Sequence, residues 1–220
     1  MSEYLRLLEH EVHIAALSFM AIAYTLRIMW LMRFRAGVER TWAAGPASGA
    51  AARSLLAVAK PWTIEGSREK PLFYVQFVIF HLGAATAISL TFLIPYKPEL
   101  LAYTPILRAL QMMLGAAFVV GLLRLYRRIS DPALKLISTP DDYFALIMMT
   151  TFYAAGIGAL SPTSTTAGRL FLPMFFLMAA FFHFYVPFSK IIHYLYYPFT
   201  RYYLGKAMGH RNIGNDSMSQ

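Results

Sequence analysis

Apolar residues in this chain come in long runs, and the polar and charged residues gather between them. Five such runs can be drawn, over roughly 12–32, 72–95, 106–126, 143–161 and 170–197. About 20 apolar residues is the length an α-helix needs to cross the hydrocarbon of a bilayer. In lipid only helices and closed barrels satisfy their own backbone groups, and runs of this length are helical. The pattern predicts an all-α membrane protein, a five-transmembrane-helix bundle over 1–205 followed by a polar, extended tail over 206–220.

Composition supports this. The chain is 58% hydrophobic and only 14% charged, where a soluble domain carries about 25% charged residues. Its net charge of +9 sits in the connections between apolar runs, so it reads as a determinant of topology and not as a nucleic-acid surface. Loop 33–71 carries Arg33, Arg35, Arg40, Arg53, Lys60, Arg68 and Lys70, loop 127–142 carries Arg127, Arg128 and Lys135, and the tail carries Arg201, Lys206 and Arg211. The opposite side holds Arg6, Lys97, Arg108 and Arg169 with several acids. The excess of cations places the N-terminus outside and the C-terminus in the cytoplasm. The opening MSEYLRLLEHEVH lacks a basic stretch, so the first run is expected to be a retained span and not a cleaved signal peptide. There is no Cys, which excludes disulfides, thiolate zinc sites and iron–sulfur clusters held by this chain. Within loop 33–71, Gly and Pro breaks bracket a short helix at about 48–59, suited to the membrane surface or a partner, with a flexible loop as the alternative.

Against this apolar background the histidines are the candidate chemistry. His81 lies in VIFHLGAATA and His193 in PFSKIIHYLYYPF. An ionisable side chain in a bilayer is costly and calls for a partner or a function. Imidazoles on separate membrane helices, with no thiolate or acidic cluster nearby, point to the axial ligands of a b-type haem. His81 follows Lys70 by about three turns and His193 precedes Arg201 by about two, so their depths agree to about 5 Å. Gly83, Ala84 and Ala85 leave room for a macrocycle or for a close helix contact. Buried histidines hydrogen-bonded to neighbouring helices would explain the same positions. A second pair, His13 and His183, stands at matching depths nearer the outer side and is a candidate for a second haem. Arg27 and Arg124 lie where haem propionates of an inner site would point, and guanidinium–carboxylate pairing is strong in low dielectric. Arg127 and Arg128 fit ordinary snorkelling better. Tyr96, Lys97 and Arg108 are the clustered polar candidates for an outer quinone site, solvated loop charge being their ordinary role.

Three motifs, QFVIFHLG, LLRLYRRISDPALKLISTPDDYFAL and PFSKIIHYLYYPFTRYY, occur in that order. With them, residues 70–205 resemble the cytochrome b membrane subunits of the respiratory nitrate reductase gamma-subunit family, which includes membrane cytochromes associated with sulfite reductase and relatives of heterodisulfide reductase. On that resemblance His81 and His193 take the places of the ligands of the haem nearer the cytoplasm. The family's second pair would fall on Thr91 and Phe175, neither of which ligates haem, so the outer haem is absent or moved to another pair such as His13–His183.

The resemblance implies haem b (one per chain, or two with the second pair) and quinone as substrate. It also implies an iron–sulfur subunit on the cytoplasmic face, further subunits of a respiratory redox complex, and the cytoplasmic membrane of a prokaryote. The competing class is a non-redox membrane transporter or assembly protein whose histidines are structural or relay protons.

Overall fold

The computed structural model describes residues 3–33, 40–60 and 69–213. Among these residues every regular element is a helix. α1 (Glu3–Arg6) passes through a π-helical turn (Leu7–Val12) into α2 (His13–Arg33). Then come α3 (Ala47–Leu56), α4 (Pro71–Tyr96), α5 (Pro98–Ala102), α6 (Thr104–Ser130) and α7 (Pro132–Ile137). The chain closes with α8 (Pro140–Ala159), α9 (Thr166–Tyr185) and α10 (His193–His210). Pro98, Pro132 and Pro140 stand at the first positions of α5, α7 and α8, where the missing N–H would have had no helical acceptor.

Four stretches, Glu3–Arg33, Pro71–Tyr96, Thr104–Ser130 and Thr166–Phe188, are long and apolar enough to cross a membrane, which makes this a multi-pass membrane protein. The run at 143–161 forms α8 but is not among the four; Asp141 and Asp142 occupy its first turn and shorten its apolar length. The run at 170–197 is not one helix. α9 ends at Tyr185, two 3₁₀ turns follow at Val186–Phe188 and Lys190–Ile192, and α10 begins at His193. Pro187 explains the break, because it donates no N–H and its ring crowds the carbonyl four residues back. Ser189 then takes up freed backbone groups, its hydroxyl donating to the Val186 carbonyl and accepting from the Ile191 N–H. The short helix expected near 48–59 is present as α3 with a 3₁₀ turn (Ala57–Ala59). Helix continues through the start of the expected tail as far as His210. Arg35 and Arg68 lie outside the described residues.

The chain forms two compact units, Met1–Thr25 with Val75–Ile191, and Leu26–Tyr74 with Ile192–Gln220. The core of the first is built where α8 packs between α6 and α9, around Leu90, Leu114, Tyr153, Phe175 and Phe176, all fully buried. The Phe152 and Phe175 rings stack with centroids 4.9 Å apart. Gly83 lets α4 approach α6; a Cβ there would collide with that of Ala117. The room made by the small residues after His81 is therefore used, at Gly83, for helix contact. The Tyr153 hydroxyl donates to the Phe80 carbonyl at 2.9 Å, so a buried phenol finds its acceptor on another helix. Met112, Val119, Leu170 and Leu177 face outward, as lipid allows and water does not.

In the second unit α3 lies on α10. Gly205 makes this possible, since a Cβ at that position would stand 2.6 Å from the Ser54 Cβ and 2.7 Å from the Ala50 carbonyl oxygen. The last carbonyls of a helix have no partner within it. Here Arg201 Nε donates to Ser54 O at 3.1 Å and the Tyr197 hydroxyl to Leu55 O at 3.3 Å, so α10 caps α3. The segment before α3 is tied down as well, with His210 Nε2 donating to Thr41 O at 2.7 Å and Ala44 N to His210 O at 2.7 Å. Gly205→Val should lift α3 off α10 while leaving the spans intact. Trypsin should then cleave after Arg53 at least about tenfold faster than in the parent, as expected for a locally unfolded segment; an unchanged rate would show that α3 is not held by this contact.

Candidate functional site

His81 lies on α4 at an exposed position. Its Nδ1 is 2.7 Å from the Phe77 carbonyl oxygen, one turn back. A carbonyl only accepts, so Nδ1 carries the proton and Nε2 carries the lone pair. The Phe77 ring lies 4.1 Å from the imidazole, centroid to centroid, and helps fix its rotamer. On the adjacent residue, the Phe80 ring carries the Arg124 guanidinium 4.9 Å above its centroid. Arg124 is thus placed one residue from His81 along α4, in a cation–π contact. Arg27 is half-buried on the part of α2 that belongs to the second unit.

His193 opens α10, directly after the 3₁₀ turn, and is exposed, its ring edge-on to Tyr194 at 6.4 Å. It belongs to the second unit and His81 to the first.

His13 and His183 are brought together. Their rings meet edge to face with centroids 5.2 Å apart, and His13 also meets Phe92 at 5.5 Å and Phe176 at 6.1 Å. His13 is 0% exposed and His183 9%. Thr91 and Phe175 are both part of the core. The Thr91 hydroxyl donates to the Ile88 carbonyl at 2.7 Å, and Phe175 lies between Phe152 and Phe176. Tyr96, Lys97 and Arg108 have separate partners, in His10 at 5.6 Å between rings, Glu99 at 3.6 Å and Gln111 at 3.1 Å. Among the described residues no three His, Asp or Glu side chains converge as a metal site would require.

A polar cluster at the start of α8 went unseen in the sequence. Asp142 Oδ2 accepts from the Thr139 N–H at 2.8 Å, from the Thr139 hydroxyl at 2.8 Å and from Lys190 Nζ at 2.9 Å. Arg128 stands 3.7 Å from the same oxygen and donates to Ser138 Oγ at 2.8 Å, so it is engaged in the protein and does not simply snorkel. Tyr185 donates to Asp141 Oδ1 at 2.5 Å. The cluster joins α6, α8 and the 3₁₀ turn that precedes His193. Thr139, Pro140 and Asp142 carry the capping-box pattern, a signal that was present in the sequence; the Lys190 contact, across 48 residues, had none.

The chain matches no protein-family profile, no curated protein and no solved structure.

The Thr139 N–H first, and the Lys190 ammonium next, hold the Asp142 carboxyl below its ordinary 3.8, at about 2. A depressed carboxylate stabilises the fold above its unfolded value and loses that contribution as pH falls through its folded one. Thermal unfolding in detergent should therefore show a loss of stability as pH falls from about 4 through about 2. Asp142→Asn should flatten that slope and lower stability at neutral pH. An identical slope in the variant would contradict the clamp.

Proposed function

We propose that this chain is a haem b membrane subunit that passes electrons between membrane quinone and an iron–sulfur subunit on the cytoplasmic face of a respiratory redox complex. The observation that carries the reading is the state of His81. Within a span that holds no Asp, Glu, Lys or Arg, its Nδ1–H is fixed to the Phe77 carbonyl, the tautomer whose ring lone pair is on Nε2. A metal-ligating histidine holds its other ring nitrogen in this way, which sets the tautomer, orients the ring and raises ligand basicity. The residues therefore fit an axial imidazole. His193 is the second ligand in this reading. Arg124, beside Phe80, supplies the guanidinium for a propionate, and Arg27 is its counterpart on α2. When bound, haem supplies one-electron transfer at a potential set by its axial ligands, burial and neighbouring charge.

The finer topology belongs to the same reading. α8 serves as the fourth of five spans, the N-terminus lies outside, and the basic connections and α10 face the cytoplasm of a prokaryote. Their cations would steer an acidic iron–sulfur partner to that face. With Thr91 and Phe175 committed to side-chain packing, electrons enter or leave quinone without the outer haem that the resembled family carries at those positions.

A second reading, a non-redox membrane protein with proton-relay histidines, draws on the buried His13–His183 contact. An absorption spectrum separates the two. The protein purified with its partners should show b-type Soret and α bands at about one haem per chain. Both bands should be lost in His81→Ala and in His193→Ala. A colourless, well-folded complex would sink the haem assignment.

A further inference from the structure

The His13–His183 contact has a property that the haem reading of His81 and His193 does not use. Three of its ring nitrogens, His13 Nδ1, His13 Nε2 and His183 Nδ1, are buried and have no hydrogen-bond partner. The Ala179 carbonyl, one turn back on α9, is an acceptor within reach of the His183 ring, whereas neither nitrogen of His13 has one. A neutral imidazole always carries one N–H and one lone pair, and leaving either unmet inside an apolar bundle is costly. Two phenylalanines would fill the same space with no such cost. A species able to meet these nitrogens is favoured at this place.

The space around them limits what that can be. Phe176 and His183 are two turns apart on α9, a rise of about 10 Å. The His13 ring stands 6.1 Å from the first and 5.2 Å from the second, so it lies between them along α9. The intervening Ala179 and Ala180 are small and buried, which leaves the width of a ring. With their rings 5.2 Å apart and edge to face, His13 and His183 leave no gap for a flat macrocycle. A proton needs no such room. Taken up by one ring, it makes that imidazole a donor, and a rotation of one ring out of the edge-to-face contact turns it toward the other's lone pair; such charge-assisted bonds are about twice as strong as neutral ones.

A buried carboxyl lies on the N-terminal side of the pair. Glu9 lies one turn before His13 and is 3% exposed. It stands in the π-helical turn Leu7–Val12, and π turns inside helices concentrate at functional sites. His10, in the same turn, rests against Tyr96 of α4. The other ring contacts to His13 are Phe92 from α4 and Phe176 from α9; the nearby titratable groups are Glu9, His10 and the exposed Glu11 in the turn before it, His183 on α9, and Tyr96 of α4 against His10.

We propose that His13 and His183 form a proton-binding site inside the bundle, holding one proton between their imidazoles and exchanging it with the N-terminal face through Glu9. Uptake converts the pair from two neutral rings to one imidazolium hydrogen-bonded to one imidazole; Glu9, as the protonated carboxylic acid, delivers the proton, becomes a carboxylate and is reprotonated from outside. The site is independent of His81 and His193, and it serves a quinone-linked or a transport reaction equally.

The test uses the full chain with its partners in lipid nanodiscs, carrying isotope-labelled histidine. Infrared difference spectra between about pH 8 and about pH 5 should contain a histidine-protonation band. That band should disappear in His13→Phe and equally in His183→Phe, with no further loss in the double variant. Glu9→Gln should keep the band but slow its rise after a pH jump at least about tenfold. Because the phenylalanine variants remove unpaired polar groups, they should fold. Nitrogen NMR of the parent protein provides a readout that needs no variant, a coupling between two histidine nitrogens across one proton. The proposal is overturned by additive losses in the single variants, by a band that survives them, by the absence of that coupling at every pH, or by loss of a haem equivalent in His13→Phe.

Discussion

An imidazole always carries at least one N–H, and a helix surrounded by lipid or by apolar side chains offers little to receive it. The described histidines meet this constraint in opposite ways. His81 gives its proton to the Phe77 carbonyl of its own helix, and the bond leaves a directed lone pair on the other nitrogen. Both ring nitrogens of His13 and Nδ1 of His183 are buried without such an outlet, although each ring sits in a helix full of carbonyls. The first arrangement suits a permanent ligand such as a metal. The second suits a guest that comes and goes.

Two further polar clusters lie at helix ends, where backbone groups are unpaired in any helix. Asp142 collects the start of α8, Lys190 and Arg128, close to the point where Pro187 interrupts the chain before His193. Arg201 and Tyr197 close the end of α3. Both arrangements hold short segments that could not be stable alone, since isolated helices of this length are marginal in water. The first fixes the 3₁₀ turn at Lys190 within its own unit, and the second holds α3 on α10 within the other.

The positions of the helices were legible in the sequence because apolar length alone specifies a span. Runs at 72–95 and 106–126 became Pro71–Tyr96 and Thr104–Ser130. Gly and Pro punctuation located α3. Matched depth from the nearest cations was enough to pair His13 with His183, because α2 and α9 are long rods with a constant rise. What depth could not supply was the local geometry, a ring lodged between Phe176 and His183 with its nitrogens unmet. The break at Pro187 was concealed by apolar residues on both sides. The Asp142–Lys190 contact depends on how the two ends of the chain segment return to one place, which no local pattern encodes. The π turn at Leu7–Val12 was likewise hidden, since its residues read as an ordinary polar lead into the first span.

The haem assignment is tested most directly by low-temperature EPR of the purified complex, read beside the same complex carrying His81→Ala. The expected result is a low-spin ferric signal of bis-imidazole type that His81→Ala abolishes. A complex without haem, or a low-spin signal that His81→Ala leaves unchanged, would contradict the assignment of His81 as a ligand.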